Sequence, residues 1–209
     1  NALIKIKGYS SIFILVDLNS RDLCLKYFLN KFKAPKEFNI IEVDPGEEKK
    51  NLSTCDFVWR HLSKNGADRK SLLINLGGGV ITDLGGFVAA TYMRGIDFVN
   101  VPTTLLSMVD ASIGGKLGID MDNLKNQIGT IANPDLVLID SHFLKSLSDK
   151  QFISGYAEMI KHGLIKNKKY FEKLISYNFL TDRILIEKYI YQSIVIKNNI
   201  ARKDPKELG

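Results

Sequence analysis

The sequence predicts an α/β fold, with a mostly parallel sheet carrying helices on both faces, followed by an α-helical C-terminal part. Three observations predict it. Short runs that are apolar, Ile12–Val16 throughout and Leu72–Leu76 but for Asn75, have the composition of strands buried on both faces, as parallel strands between helical layers are. These runs alternate with helical patterns as far as about residue 140, the order of a series of β-α-β units. From about Ser148 the pattern is helical, and no further strand is convincing through Gly209.

Each element has its own signal. The run Ser11–Val16 is the first strand and Asp17–Ser20 its turn; Ser20 is expected to cap a helix from about Arg21 to Lys33. Phe38–Val43 is the second strand. Asp44-Pro45-Gly46 breaks it, and a helix is expected from about Glu47 to Lys64, ended by Asn65-Gly66. Leu72–Leu76 is the third strand, followed by Gly77-Gly78-Gly79 and a helix from about Thr82 to Met93. Phe98–Val101 is the fourth, closed by Pro102. Gly114, Gly115, Gly118 and Gly129 lie among short apolar pieces, so residues 110–134 are expected to form a loop or hairpin excursion before a last strand at Leu136–Ile139. A boundary near Ser141–Ser148 divides an α/β domain, residues 1–145, from a helical one, 146–209.

Composition narrows the functional classes. The chain of 209 residues is 45% hydrophobic and 25% charged, which excludes wholesale disorder and allows a sizeable core. No apolar run reaches the length of about 18 residues needed to span a membrane, and no signal peptide is expected from the opening residues. Cys24 and Cys55 fit neither a disulfide framework nor a CxxC metal site; reduced core thiols in a cytoplasmic protein are expected. The net charge of +6 is not a nucleic-acid stripe, because the outer Lys and Arg alternate with Asp and Glu. Between Ser71 and Asp140 there are only three cations, Arg94, Lys116 and Lys125, against seven aspartates, and that stretch holds ten of the sixteen glycines. Those three need a separate explanation.

The residues that carry chemistry lie around those glycines. Strand, Gly77–Gly79 and helix form a place where backbone approaches a phosphate at a helix N-terminus, or a tight turn with no ligand. Gly85-Gly86 inside the helix points to close packing against a neighbour or ligand. Asp83, expected in the first helical turn, suits a nucleotide hydroxyl or amide, or simply the helix dipole. Asp17 and Asn19 end the first strand, on the side where open α/β sheets bind ligands. Glu47 and Lys50, three apart, read alone as a surface ion pair, and Thr103-Thr104 as a helix cap. Asp110, Lys116, Lys125 and Asn126 crowd the glycine-rich excursion, where lysines hold a phosphate or carboxylate, or are solvated. Tyr156–His162 reads as a helix start that puts Glu158, Lys161 and His162 on one face. A carboxylate and an imidazole so spaced can bind a metal, though most such pairs are surface neighbours. His61 and His142 show no partner pattern.

Four motifs in order resemble the 3-dehydroquinate synthase family. They are GGGVITDLGGFVAATYMRG at 77–95, VPTTLLSMVDASIGGK at 101–116, the Lys125-Asn126 pair, and SGYAEMIKHGLIK at 154–166. The resemblance implies a Rossmann-like nucleotide-binding domain and the start of a helical metal and substrate domain. It implies conversion of 3-deoxy-D-arabino-heptulosonate 7-phosphate, a phosphorylated sugar acid, to 3-dehydroquinate and phosphate. It also implies that NAD is reduced and reoxidised within each turnover, that a divalent metal (zinc, or cobalt) is required, and that the assembly is a homodimer. NAD contacts are implied for Asp17, Asn19, Glu47, Lys50, Gly78, Gly79, Val80, Asp83, Thr103, Thr104 and Phe143. Substrate contacts are implied for Arg94, Asp110, Lys116, Lys125, Asn126, Lys161 and Lys197. Glu158 is implied as a metal ligand. The three isolated cations all fall on implied substrate positions, which is the explanation their scarcity asked for. Leu124, where glycine is usual, Leu117 and Ser146, where threonine is usual, and the residues before Asn133-Pro134 depart from the pattern. The family's two histidine ligands lie beyond a segment that would begin at Gly209. One metal ligand of three is therefore expected in this chain, with no stoichiometric zinc.

Overall fold

In the computed structural model, which describes residues 8–31, 38–122, 124–177, 179 and 183–203, successive side chains of the first strand enter two different cores. Strand β1 (Ile12–Asp17) sends Ile12, Ile14 and Val16 to one face and Phe13 and Leu15 to the other, all fully buried. This is the period-two alternation of a strand, here apolar on both sides. The other strands are β2 (Phe38–Val43), β3 (Leu72–Gly77), β4 (Asp97–Pro102), β5 (Lys116–Met121), β6 (Leu124–Ile131) and β7 (Leu136–Val137). Five of them form a wholly parallel sheet in the order β2-β1-β3-β4-β7. β5 and β6 form the expected hairpin, an antiparallel pair with a bulge between Ile119 and Met121.

On one face, Phe13, Leu15, Leu73 and Phe98 meet α3 (Leu52–Lys64), α4 (Gly79–Thr91) and the hairpin residues Leu117 and Ile119. On the other, Ile12, Ile14, Leu72, Ile74 and Val101 meet the first helical stretch, the π turn Ser107–Ala111, α5 (Asp149–Lys166), α6 (Lys168–Ile175) and α7 (Glu187–Ala201). The C-terminal helices thus share a core with the sheet through Phe152, Met159, Leu174 and Ile190. No helix among the described residues is long and apolar enough to cross a membrane.

Four expected helix starts move, each for a local reason. Asp17, not Ser20, caps the first helical stretch: its carboxylate accepts from the Ser20 N–H (2.7 Å), and the Ser20 hydroxyl accepts from the Asp17 N–H (3.0 Å). The stretch runs through α1 (Leu18–Ser20), a π segment (Arg21–Leu25) and α2 (Lys26–Lys31); its expected end at Lys33 lies outside the described residues. The helix expected from Glu47 is split. A 3₁₀ turn (Glu47–Lys49) is followed by Lys50 in non-helical backbone, and Asn51 caps α3 by accepting from the Thr54 N–H (3.0 Å). Helix α4 begins at Gly79, so Asp83 sits beyond its first turn. The segment Tyr156–His162 is not a helix start. It is the middle of α5, which Ser148 caps. Gly155 lies within that helix because a Cβ there would come 2.4 Å from the Leu106 backbone nitrogen. Gly85 and Gly86 have the close neighbours expected, which are protein atoms: a Cβ would fall 2.0 Å from Asn75 Oδ1 and 2.4 Å from Leu117 Cδ2 respectively.

Candidate active site

The parallel sheet brings the nucleotide candidates to one edge, its carboxyl end. Asp17 and Asn19 follow β1, Glu47 and Lys50 follow β2, Gly78–Val80 open α4 after β3, and Thr103-Thr104 follow β4. Gly78 can come close to the next strand because it lacks a side chain; a Cβ would lie 3.1 Å from Thr104 Cγ2. The Thr103 N–H donates to the Gly77 carbonyl (2.9 Å), carrying the β3–β4 pairing one step further. The Thr104 hydroxyl accepts from the Ser107 N–H (3.2 Å), as a cap would. Phe143, on the 3₁₀ turn Ser141–Ser146, is buried edge-on against Tyr27 (5.4 Å between ring centroids).

Two groups of charges meet at this edge. The first surrounds Lys50. Read alone as half of a surface ion pair, it is in fact buried, only 4% exposed. The break between the 3₁₀ turn and α3 turns it inward. Its ammonium donates to Asn126 Oδ1 (2.9 Å) and lies 3.3 Å from Glu47, 3.6 Å from Asp83 and 3.8 Å from Asp120. Lys125 reaches the same Glu47 oxygen at 3.3 Å. Burial pushes the Asp83 carboxyl up to about 7. The Lys50 charge opposes that shift, while Glu47 and Asp110 add to it.

The second group joins the π turn, α5 and α7. Lys197 lies 2.8 Å from Asp110 Oδ1, and Lys161 lies 2.5 Å from Glu158 Oε1. The spacing alone made His162 a weak candidate and a surface neighbour. It is buried, with Nδ1 2.7 Å from the Ser193 hydroxyl and Nε2 3.1 Å from Glu158 Oε1. Ligand atoms of Asp110, Glu158 and His162 all lie within 4.8 Å of one another. The Asp110 and Glu158 oxygens are buried and have no hydrogen bond of good geometry, although ammonium groups are near. Burial lowers the His162 pKa, outweighing the opposing pull of Glu158 and Asp110, and so favours the neutral imidazole. A neutral imidazole and two carboxylates are the donor set of a borderline divalent metal.

Other candidates stand apart. Arg94 is exposed, with left-handed backbone (φ 69°), at the far end of α4. Thirteen residues at about 1.5 Å each put it roughly 20 Å along that helix from Gly79, at the opposite edge of the sheet. Lys116 is exposed at the open end of the hairpin. It is about 15 Å along β5 from the Lys125–Asn126 end, at roughly 3.3 Å per residue. The excursion that seemed to crowd four candidates therefore separates them. Asp120 was not foreseen; only its carboxylate facing Lys50 across the fold reveals it. Ser193 was not foreseen either, though its i,i+4 spacing from Lys197 was legible.

Comparison with known proteins accounts for this arrangement. The pattern of the 3-dehydroquinate synthase N-terminal domain matches residues 40–154, and that of its C-terminal domain matches 155–209. The chain belongs to the 3-dehydroquinate synthase family. The 3-dehydroquinate synthase of Parabacteroides distasonis is 41% identical over 202 residues, 96% of this chain and 57% of that protein. The chain therefore spans little more than half the length of this family relative. Among solved structures, 2-deoxy-scyllo-inosose synthase complexed with carbaglucose-6-phosphate, NAD+ and Co2+ superposes with a TM-score of 0.88. It is 25% identical, over all of this chain and 60% of its own. The 2-epi-5-epi-valiolone synthase of Streptomyces hygroscopicus, with NAD+ and Zn2+ bound, gives 0.86 at 27% identity, over 95% of this chain and 57% of its own. The family's mostly parallel, Rossmann-like sheet is the one described above.

Proposed function

We propose that this chain is the nucleotide-binding part and the start of the metal-binding part of a 3-dehydroquinate synthase. The protein would convert 3-deoxy-D-arabino-heptulosonate 7-phosphate to 3-dehydroquinate and phosphate. The observation that carries the reading is the meeting of the two charge groups at the carboxyl edge of the sheet, one around Lys50 and one around Glu158. The division near residue 145 and a homodimeric assembly belong to the same reading.

The residues present fit both implied groups. Gly78 and Gly79 open α4 without side chains, so backbone N–H groups are free to face a pyrophosphate, while Asp17 and Asp83 offer carboxylates to ribose hydroxyls. Glu158, with Asp110 and the neutral His162, offers buried oxygen and nitrogen donors to a divalent cation. When bound, NAD accepts and returns a hydride, and the metal acidifies the substrate hydroxyl. The chain's own groups do the rest. Lys161 and Lys197 orient the substrate's oxygens beside Glu158 and Asp110, and Lys125 with Asn126 grips an anionic end. Lys116 holds a second anionic group. Asp110 is placed to take or return a proton. Phe143 supports the nucleotide pocket from within the core.

The test is product identification. With NAD and Zn2+ or Co2+, a protein that carries this chain together with the family's two further histidine ligands is expected to release phosphate from the heptulosonate 7-phosphate and form 3-dehydroquinate, and the 209 residues alone are expected to form none. Formation of a different cyclitol, from glucose 6-phosphate or another heptulose phosphate, would place it with the cyclases that resemble it in structure. Lys116→Ala is expected to weaken a phosphonate substrate analogue and leave NAD binding nearly intact. The opposite pattern would mean that the two sites are exchanged.

A further inference from the structure

Three residues from two segments far apart in sequence, Lys50 on one and Asp120 with Asn126 on the other, close a ring of hydrogen bonds. The Asp120 N–H donates to the Lys50 carbonyl (2.7 Å). Asp120 Oδ1 accepts from the Asn126 N–H (2.8 Å). Asn126 Oδ1 accepts from the Lys50 ammonium (2.9 Å). Asp120 also forms an isolated parallel bridge with Asn51, and it falls at the bulge of the hairpin. Bulges re-aim strand residues. Here the bulge frees the Asp120 backbone from β6 and gives it to the loop between the 3₁₀ turn and α3. Asn126 is in left-handed backbone (φ 54°), a region that costs most side chains energy and that Asn tolerates better than most. The Asp120 carboxylate holds it there by capturing its N–H. The Lys50 and Asp120 side chains are shielded, at 5% and 15% exposure, so water competes weakly at the Lys50 ammonium, whereas Asn126 itself is exposed.

Resting on the functional reading above, we propose that Asp120 is a positioning residue. It sets the backbone of Asn126, and through Lys50 it locks the substrate pair Lys125–Asn126 in register with the nucleotide loop. The Lys50 ammonium belongs to both sides, since Glu47 and Asp83 face it from the nucleotide side and Asn126 and Asp120 from the hairpin. Breaking the ring at Asp120 frees the hairpin end to leave that ammonium.

Two variants separate positioning from folding. Asp120→Asn keeps an oxygen that can accept the Asn126 N–H, whereas Asp120→Ala removes it. Inorganic phosphate is the probe for the lysine end, titrated by calorimetry with and without saturating NAD, and thermal melts check that each variant is folded. Asp120→Ala is expected to weaken phosphate about tenfold and to abolish any effect of NAD on its affinity, while Asp120→Asn stays within about threefold of the parent. Equal phosphate affinity in Asp120→Ala and parent overturns the proposal, and so does an Asn variant as impaired as the Ala variant. Amide hydrogen exchange at Asn126 reads the ring without any ligand. Protection lost in the Ala variant and kept in the Asn variant supports it, and unchanged protection overturns it. A parent that binds no phosphate would sink the functional reading, and the exchange measurement would still decide the role of Asp120.

Discussion

Asp83 shows how burial writes pH dependence into a single side chain. Its folded pKa, about 7, lies above the ordinary 3.8. Between those values the folded chain binds a proton that the unfolded chain does not. Stability is therefore expected to fall as pH rises from about 4 to about 7, and to level off above. Asp83→Asn should flatten that slope, which urea titrations at about pH 5 and about pH 7.5 will measure. Nucleotide binding should run the other way, because a ribose hydroxyl needs the ionised acceptor. NAD affinity is expected to drop as pH falls through 7 in the parent and not in the variant. Asp83 itself was legible from the glycine turn before it. Its environment was not, because Lys50 and Glu47 reach it from one other segment and Asp110 from a second. The neutral, buried state of His162 was hidden for the same reason: Ser193 is 31 residues away on another helix.

At the level of elements, strands were read well and helix starts poorly. A run apolar on both faces, such as Ile12–Val16, is read as a strand because it is too short for a buried helix and rich in β-branched and aromatic residues. A helix start is decided by which polar side chain wins the first free N–H groups. Asp17 outcompeted Ser20, and Asn51 outcompeted the residues around Glu47. The departures from the family pattern become clearer at this scale. Leu117, where threonine is usual, is 6% exposed and lies over Gly86, which leaves room for it. Gly86→Ala is expected to press on Leu117, cost about 1–3 kcal/mol, and raise amide exchange along β5 and β6. Adding Leu117→Ala should recover part of that loss, as a double-mutant cycle will report. Additive losses would mean that the helix and the hairpin do not meet there.

In the molecule as a whole, the sheet carries one ligand-facing edge, and NAD binding should be read in global stability. Saturation at about 100 times Kd is expected to add about 2.7 kcal/mol, visible as a rise in Tm. Gly79→Trp should abolish that rise. A Cβ at Gly79 already lies 3.4 Å from the Ala111 methyl, so a ring there must occupy the approach to the helix start. A full NAD-induced rise in the variant would move the nucleotide site elsewhere. The convergence of Glu47, Asp83, Asp120 and Asn126 on the Lys50 ammonium belongs to this scale, and no local pattern in the chain announces it.

The two-faced burial of β1 has a consequence before the native state exists. An antiparallel strand with one wet face carries polar residues that discourage pairing with strangers. β1 has none between Ile12 and Val16, all of them at 0% exposure once folded. In the newly made or heat-unfolded chain this is a β-prone, uncharged segment able to associate with its own copies. The sequence brackets it with Lys5 and Lys7 on one side and Asp17 and Arg21 on the other, charges that act as gatekeepers. Replacing Lys5 and Lys7 with alanine is expected to lower the soluble yield on refolding at micromolar concentration, with light scattering rising as the yield falls. Arg60→Ala, which removes an exposed helix cation far along the chain, should leave the yield unchanged.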